Sequence, residues 1–120
     1  MTTTIPAVAD AYVRTVNAAD AAGFIDCFAE NAVVDDAGRE LRGLAAIKAW
    51  SEKDIFGAQV TIEVLDVADR DGETVIKAKI DGNYDKSGLP DPLVMNHHVT
   101  VEGDKITRLV IRLADEKPAI

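Results

Sequence analysis

Apolar residues recur at helical spacing through the N-terminal part of the chain. Between residues 5 and 18 they fall every three or four positions, which predicts an amphipathic helix with Tyr12 near the centre of its apolar stripe. Asp20 then stands where it can cap a second, short helix whose buried face includes Phe28. The chain is therefore predicted to begin with helices.

A short strand and a third helix come next in the predicted order. Residues 32–34 form a compact apolar run that ends in a pair of carboxylates, and Asp36 begins a tight turn. Residues 44–53 predict a third helix that buries Trp50, the only tryptophan of the chain. A phenol, an aspartate and an indole thus lie on elements that can converge on one cavity.

The periodicity changes from helical to alternating after Gly57. Alternation of apolar and polar positions is typical of strands. Asp71-Gly72 and Gly103-Asp104 predict hairpin turns, and residues 85–92 predict an irregular loop. The main strands are expected to begin near Gln59, Thr74, Leu93 and Lys105. We therefore predict an α+β domain in which three N-terminal helices pack on one face of a curved antiparallel sheet.

The last hairpin allows the two faces of the sheet to be sorted by register. If Gly103-Asp104 is a two-residue turn, His98 pairs with Leu109. Alternation then predicts one shared face, which we place on the concave side: Val94, Asn96, His98, Leu109, Ile111 and Leu113. A β-bulge would shift this register and bring His97 inward instead.

The other face of this hairpin is also apolar, which bears on assembly. If the helices cover one side of the sheet, a second copy of the chain would cover the remaining apolar side chains. The residues of this predicted outer face include Met95, Val99, Val101, Ile106 and Val110. The sequence therefore predicts a homodimer that forms through the outer face of the sheet.

Composition narrows the expected partners and cofactors. The 120 residues, 48% of them hydrophobic, suit a single domain spanning residues 1–120. The net charge of −8 opposes phosphate backbones and anionic lipids, so neither nucleic acid nor a membrane is an expected partner. A single cysteine and an N-terminus unlike a secretion signal indicate a cytoplasmic protein.

No nucleophile elbow, phosphate-binding loop or dinucleotide fingerprint is present, so no cofactor is expected. No metal site is expected either, because His97 and His98 point to opposite faces of a strand.

Four motifs, taken in order, carry a family resemblance. They are Tyr12-Val13, the block from Phe28 to Asp36, the helix from Gly43 to Trp50, and the terminal Gly103-Asp104 hairpin. Their order and spacing resemble the nuclear-transport-factor-2-like superfamily, in its SnoaL-like and ketosteroid-isomerase-like branch. The resemblance implies a conical, cystatin-like α+β domain, commonly a homodimer, with a pocket between the helices and the concave face of the sheet.

The resemblance also implies roles for individual residues. Asp36 matches the aspartate that acts as general base in ketosteroid-isomerase-like members, and Tyr12 matches their oxyanion tyrosine. The second, protonated aspartate of those members falls near Val94 and is not matched. A limonene-epoxide-hydrolase-like site resembles an Asp-Arg-Asp arrangement, and we expect no arginine between two pocket aspartates here.

Two kinds of function fit these residues. One is a cofactor-independent isomerase, cyclase or dehydratase in which Asp36, with Tyr12 and His98, moves a proton on a small apolar carbonyl-type substrate. The other is a non-catalytic module that binds a hydrophobic ligand or forms a dimer. Convergence of Asp36, Tyr12 and a histidine or asparagine would favour the enzyme, and a purely apolar cavity would favour the binder. The predicted pocket wall consists of Trp50, Asn96, Phe28, Leu109, Ile111 and Leu113.

Overall fold

The helices lie close to their predicted positions in the computed structural model, which describes residues 6–70, 72–84, 87–89 and 92–114. Their bounds are Ala7–Asn17 for α1, Ala21–Asp26 for α2 and Leu44–Ser51 for α3, with a π-helical turn over Glu52–Phe56 directly after α3. The predicted cap of α2 is confirmed, since the Asp20 side chain accepts a hydrogen bond from Gly23 N at 3.0 Å. Ile5, the predicted start of the first helix, lies outside the described residues. No helix in the described ranges is long and apolar enough to cross a membrane.

One curved sheet of six strands carries the helices on one face. The strands are β1 Phe28–Asp36, β2 Arg39–Arg42, β3 Thr61–Arg70, β4 Glu73–Asp81, β5 Leu93–Glu102 and β6 Lys105–Leu113, in the spatial order β2-β1-β6-β5-β4-β3. The four predicted main strands, β3 to β6, pair antiparallel. The α+β class is confirmed, but β1 runs parallel to β6, so the expectation of a wholly antiparallel sheet is wrong at that pair. Asp71 of the predicted hairpin turn and residues 85, 86, 90 and 91 of the predicted loop lie outside the described residues.

The predicted turn after Asp36 is a two-residue hairpin that adds an unexpected strand, β2. Asp36 pairs with Arg39 across Ala37-Gly38, and the two turn residues have φ angles of 52° and 99°. Positive φ at both central positions gives the turn a twist that matches the twist of the flanking strands. The hairpin therefore places Arg39 directly opposite Asp36.

A β-bulge beside Val101 changes the predicted register of the last hairpin. His98 pairs with Val110, so its predicted pairing with Leu109 is wrong. Because alternate strand residues point to opposite faces, His97 lies on the face that the helices cover and is 4% exposed. His98 lies on the opposite face.

The predicted outer face of this hairpin is not an outer face. Val99 and Ile106 are fully buried, and Met95 and Val101 pack against the same core. Val110 pairs with His98 on the other side of the sheet. The apolar side chains on which the prediction of a homodimer rested are thus mostly part of the core of one chain. The homodimer itself stays a prediction.

An aromatic cluster forms the centre of the core between the helices and the sheet. Phe24 from α2 is fully buried, and its ring centroid lies 5.1 Å from Phe28, 5.5 Å from Phe56 and 5.9 Å from Tyr12. These are the separations that aromatic pairs prefer in protein interiors. The cluster therefore packs α1, β1 and the π-helical turn against one another.

Asn17 fastens the end of α1 to β3. Its amide nitrogen donates to Ile62 O at 2.9 Å, and its oxygen accepts from Ile62 N at 2.7 Å.

Since a hydrogen bond of this kind contributes about 1 kcal/mol net, we expect Asn17→Ala to lower the free energy of unfolding, measured by urea denaturation, by about 2 kcal/mol. Arg14→Ala removes an exposed ion pair with Asp10 and should cost less than about 1 kcal/mol. Equal losses in the two variants would contradict this role for Asn17.

Candidate functional site

A cavity of about 100 Å³ lies between α1, the π-helical turn and the covered face of the sheet. For scale, an engineered cavity of about 150 Å³ binds benzene, so this one suits a molecule, or part of one, of similar size or smaller. Its apolar wall consists of Val16, Ile55, Val60, Ile62, Ile80, Met95 and Ile111. Its polar side chains are Tyr12, Asp36, Trp50, Asp54 and His97.

Tyr12 and His97 form a buried polar pair on the wall of the cavity. Tyr12 Oη lies 3.0 Å from His97 Nδ1, and the two residues are 1% and 4% exposed. Burial lowers the pKa of His97 to about 4, and the neighbouring His98 adds to this effect. Burial also raises the pKa of Tyr12 well above its usual value, and the charge of Asp36 adds to the rise. Both side chains are therefore uncharged at neutral pH.

Asp36 lies at the mouth of the cavity with its side chain 27% exposed. Its Oδ2 accepts a hydrogen bond from Trp50 Nε1 at 3.0 Å and lies 3.2 Å from Arg39 Nη2. Its other oxygen, Oδ1, has no hydrogen-bond partner in the described part of the chain. The two donors therefore orient the carboxylate through one of its oxygens.

Arg39 lies between two aspartates of the cavity. Its Nη2 contacts both the Asp36 carboxylate and the Asp54 carboxylate. The expectation that no arginine lies between two pocket aspartates is therefore wrong. The reason is local geometry: the β1–β2 hairpin places Arg39 opposite Asp36, and the π-helical turn places Asp54 beside both.

The π-helical turn is what brings Asp54 and Ile55 into the wall. Gly57 N bonds to Glu52 O at 2.9 Å, five residues back, which is the hydrogen bond of a π-helix. A Cβ at position 57 would lie 2.6 Å from that same Glu52 oxygen, so the turn requires glycine there. Sequence reasoning missed Asp54 because the predicted helix ended at residue 53. The available signal was its spacing of four residues from Trp50, which places both on one helix face.

Asp35 is directed away from the cavity. Arg112 donates to both of its oxygens, at 3.0 and 2.8 Å, and Gly38 N donates at 2.8 Å. These hydrogen bonds hold the pKa of Asp35 at about 2. Of the two adjacent carboxylates that end β1, only Asp36 lines the cavity.

The predicted site residues divide into three groups. Those that line the cavity are Tyr12, Asp36, Trp50 and Ile111. Those that are buried in the core without lining it are Phe28 and Leu109. Those that lie elsewhere are His98, Asn96 and Leu113. The prediction therefore identified the mouth of the cavity and one half of its buried polar pair.

The placement of His98 and Asn96 in the pocket is wrong because of the bulge. His98 Nδ1 lies 3.0 Å from Glu73 Oε1, and Asn96 pairs with Lys77 and Arg112 on the uncovered face. The histidine at the cavity is His97, the alternative that a register shift was expected to produce. Within the described ranges, no group of three or more His, Cys, Asp or Glu side chains could hold a metal ion.

These features define a class of protein: an α+β domain with the nuclear-transport-factor-2-like, ketosteroid-isomerase-like fold, whose cavity has an aspartate at its mouth and a buried tyrosine on its wall. Residues 9–109 match the SnoaL-like domain, and the chain belongs to this family. The resemblance deduced from the sequence is thus confirmed. A comparison with functionally curated proteins found no match.

Solved structures with this fold are similar over most of the chain. A candidate polyketide cyclase from Sinorhizobium meliloti is 25% identical, with a TM-score of 0.80 over 90% of this chain and 95% of that one. A protein with a ketosteroid isomerase-like fold from Catenulispora acidiphila, in complex with trimethylamine, is 19% identical, with a TM-score of 0.76 over 93% and 88% of the two chains. The Δ5-3-ketosteroid isomerase of a Mycobacterium species is 19% identical, with a TM-score of 0.71 over 88% and 89%. The last two similarities concern the fold alone.

Proposed function

We propose that the protein is a cofactor-independent enzyme that moves a proton on a small, mostly apolar carbonyl compound. The observation that carries the proposal is the convergence of the Asp36 carboxylate and the Tyr12–His97 pair on one cavity with an otherwise largely apolar wall. A general base and a hydrogen-bond donor that line one largely apolar cavity suit abstraction of a proton next to a carbonyl group. The similarity to a candidate polyketide cyclase agrees with this class of substrate.

Asp36 is the proposed general base. Trp50 and Arg39 bind its Oδ2 and so orient the carboxylate, while Oδ1 accepts the proton from the carbon next to the carbonyl. A base that is already oriented loses little freedom when the substrate binds, which favours proton transfer. Trp50 therefore acts in positioning as well as in the wall of the cavity.

Tyr12 is the proposed partner of the substrate oxygen. When Asp36 removes the proton, negative charge develops on the carbonyl oxygen, and the Tyr12 hydroxyl can donate a hydrogen bond to it. Burial keeps this hydroxyl protonated at any physiological pH. Its proton is available to the substrate when His97 carries its own proton on Nδ1 and donates to Tyr12 Oη. The size of the cavity argues against a whole steroid as substrate, since about 100 Å³ is less than the space that binds benzene in the engineered case.

The alternative is a module that binds a small apolar molecule without reaction. The observation that favours it is the ion pair of Asp36 with Arg39, which occupies one oxygen of the proposed base. The two functions differ in a measurable way, because only the enzyme accelerates the loss of protons from a bound ketone.

Exchange of α-protons for deuterium tests the proposal. We expect the wild-type protein to accelerate exchange in propanone and butan-2-one in D₂O at least about 100-fold over buffer, followed by proton NMR; this is the lower end of the roughly 10²–10⁴-fold that a positioned base can contribute. Asp35→Asn, the same substitution on the opposite face of β1, should retain the acceleration. Binding of the ketones without faster exchange would favour the binding module.

A further inference from the structure

We propose that His97 carries its single proton on Nδ1 and donates it to Tyr12 Oη, so that the hydroxyl proton of Tyr12 points into the cavity. His97 is then a positioning residue, because it acts on the reaction through Tyr12. The inference rests on the proposed function in taking Tyr12 as the partner of a substrate oxygen. It goes beyond that function because the direction of this hydrogen bond decides whether Tyr12 can donate to a ligand at all.

Two arrangements of protons are possible in the pair. A neutral imidazole has one N–H, and a phenol has one O–H. With the imidazole proton on Nδ1, His97 donates to Tyr12, and the Tyr12 hydroxyl proton is free to bind a ligand. With that proton on Nε2, Tyr12 donates to Nδ1 and presents only lone pairs to the cavity that it lines. Only the first arrangement provides a donor for a carbonyl oxygen.

The closed surroundings of His97 Nε2 favour the first arrangement. This atom is inaccessible to solvent and makes no hydrogen bond with any residue that the structure describes. It stays unpaired in both arrangements, as an N–H donor in one and as an unprotonated acceptor in the other. Among buried backbone groups, N–H donors without a partner are rarer than under-satisfied acceptors. The same preference leaves Nε2 without the proton.

The length of the hydrogen bond agrees with a nitrogen donor. Tyr12 Oη and His97 Nδ1 are 3.0 Å apart. Hydrogen bonds from N–H to oxygen are most often about 2.9–3.0 Å long, whereas those from a hydroxyl to oxygen are most often about 2.7–2.8 Å long. The observed separation is that of an N–H that donates to the Tyr12 oxygen.

The charge of Asp36 favours the same direction. Asp36 and Tyr12 both line the cavity, and the Asp36 carboxylate is close enough to add to the rise in the pKa of Tyr12. A hydroxyl dipole orients in the field of nearby charges, and a negative charge attracts the proton of an O–H group and repels the lone pairs. The Tyr12 hydroxyl is therefore more stable with its proton towards the cavity and a lone pair towards His97.

This direction also makes Tyr12 a stronger donor. Two hydrogen bonds in a chain polarise each other, so an oxygen that accepts from His97 donates more strongly to a ligand. Burial lowers the pKa of His97 to about 4, so the imidazole is neutral at pH 7 and has one proton to place. His97 thus supports Tyr12 when negative charge develops on the substrate oxygen.

Nitrogen NMR of the histidine rings tests the position of the proton. In protein labelled with ¹⁵N in these rings, protonated and unprotonated nitrogens differ strongly in chemical shift, and couplings to the ring C–H protons identify Nδ1. The chain has two histidines, so untagged His98→Gln retains His97 alone. We expect His97 at pH 7 to show a protonated Nδ1 and an unprotonated Nε2. A protonated Nε2 would overturn the inference. If His98→Gln does not fold, the wild type gives the same answer by comparison with His97→Gln, which lacks the His97 signals.

Two substitutions of nearly equal shape test the consequence for the reaction. His97→Asn keeps an N–H donor at the place of Nδ1, and His97→Leu removes it. We expect His97→Leu to lower the rate of α-proton exchange about 2–10-fold, the equivalent of one neutral hydrogen bond, with little change in the affinity for ketones. His97→Asn should retain most of the rate. Equal losses in the two variants would contradict the role of His97 in directing the Tyr12 proton.

The two tests separate this inference from the proposed function. A protonated Nδ1 in a protein that does not accelerate α-proton exchange would support the position of the proton and refute the enzyme. Exchange together with a protonated Nε2 would support Asp36 as the base and refute His97 as the residue that directs the Tyr12 proton.

Discussion

Asp36→Asn should lower the rate of α-proton exchange roughly 10²–10⁴-fold, which is the contribution of a positioned general base. Asparagine has the same shape, and its amide oxygen can still accept the hydrogen bond from Trp50 Nε1, so the mouth of the cavity should keep its form. Its amide cannot take a proton from carbon at neutral pH. We therefore expect the exchange rate to fall while the affinity for ketones changes little, as measured by NMR.

Asp54 provides the control for this experiment. It also lines the cavity and also binds Arg39, but it makes no hydrogen bond with Trp50. If Asp36 is the base, Asp54→Asn changes only the neighbourhood of Arg39 and should cost less than about tenfold, below the contribution of a general base. A larger loss in Asp54→Asn than in Asp36→Asn would transfer the role of base to Asp54.

Acidification from pH 7 to pH 4 should destabilise the protein by about 3 kcal/mol through His97 alone. In the folded state burial lowers the pKa of His97 from 6.5 to about 4. The unfolded chain therefore binds a proton at His97 at higher pH than the folded chain does. The free energy of unfolding consequently decreases as the pH falls from about 6.5 to about 4, and it is unaffected by His97 above that window.

Urea denaturation at a series of pH values measures this effect. His97→Gln should lose most of the decrease between pH 6.5 and 4, because glutamine does not titrate, whereas His98→Gln should retain it. Asp35 acts in a separate window: its pKa is lowered from 3.8 to about 2, so its stabilising contribution is lost only as the pH falls below about 4. An unchanged pH dependence in His97→Gln would show that His97 can be protonated in the folded protein at little cost.

Local pattern was enough to predict most of the elements. The helical spacing around Tyr12, the cap at Asp20 and the alternation after Gly57 depend on residues close together in the chain. The placement of Asp36 and Trp50 on one cavity also followed, because the two residues are only 14 positions apart in the sequence. Helices, helix caps and strands depend on local backbone preference and side-chain periodicity, and both can be read from the sequence.

The bulge in the last hairpin decides which of the two adjacent histidines lies at the cavity. Alternation in β5 separates His97 from His98, but the choice between the two faces was made from the register of a hairpin with no irregularity. The bulge beside Val101 invalidated that register. The strand residues of the hairpin do not indicate a bulge, because their apolar–polar alternation is equally compatible with the unshifted register.

The sequence by itself determined the class of fold, the order of its elements, and the tyrosine, aspartate and tryptophan of the cavity. Only the tertiary structure decided that β1 runs parallel to β6, that His97 and not His98 pairs with Tyr12, and that Arg39 joins Asp36 to Asp54. The physical reason is the range of the interactions. Helix and strand patterns arise from neighbours along the chain, whereas strand partners and buried polar pairs arise from contacts between distant segments; Tyr12 and His97 are 85 residues apart in sequence.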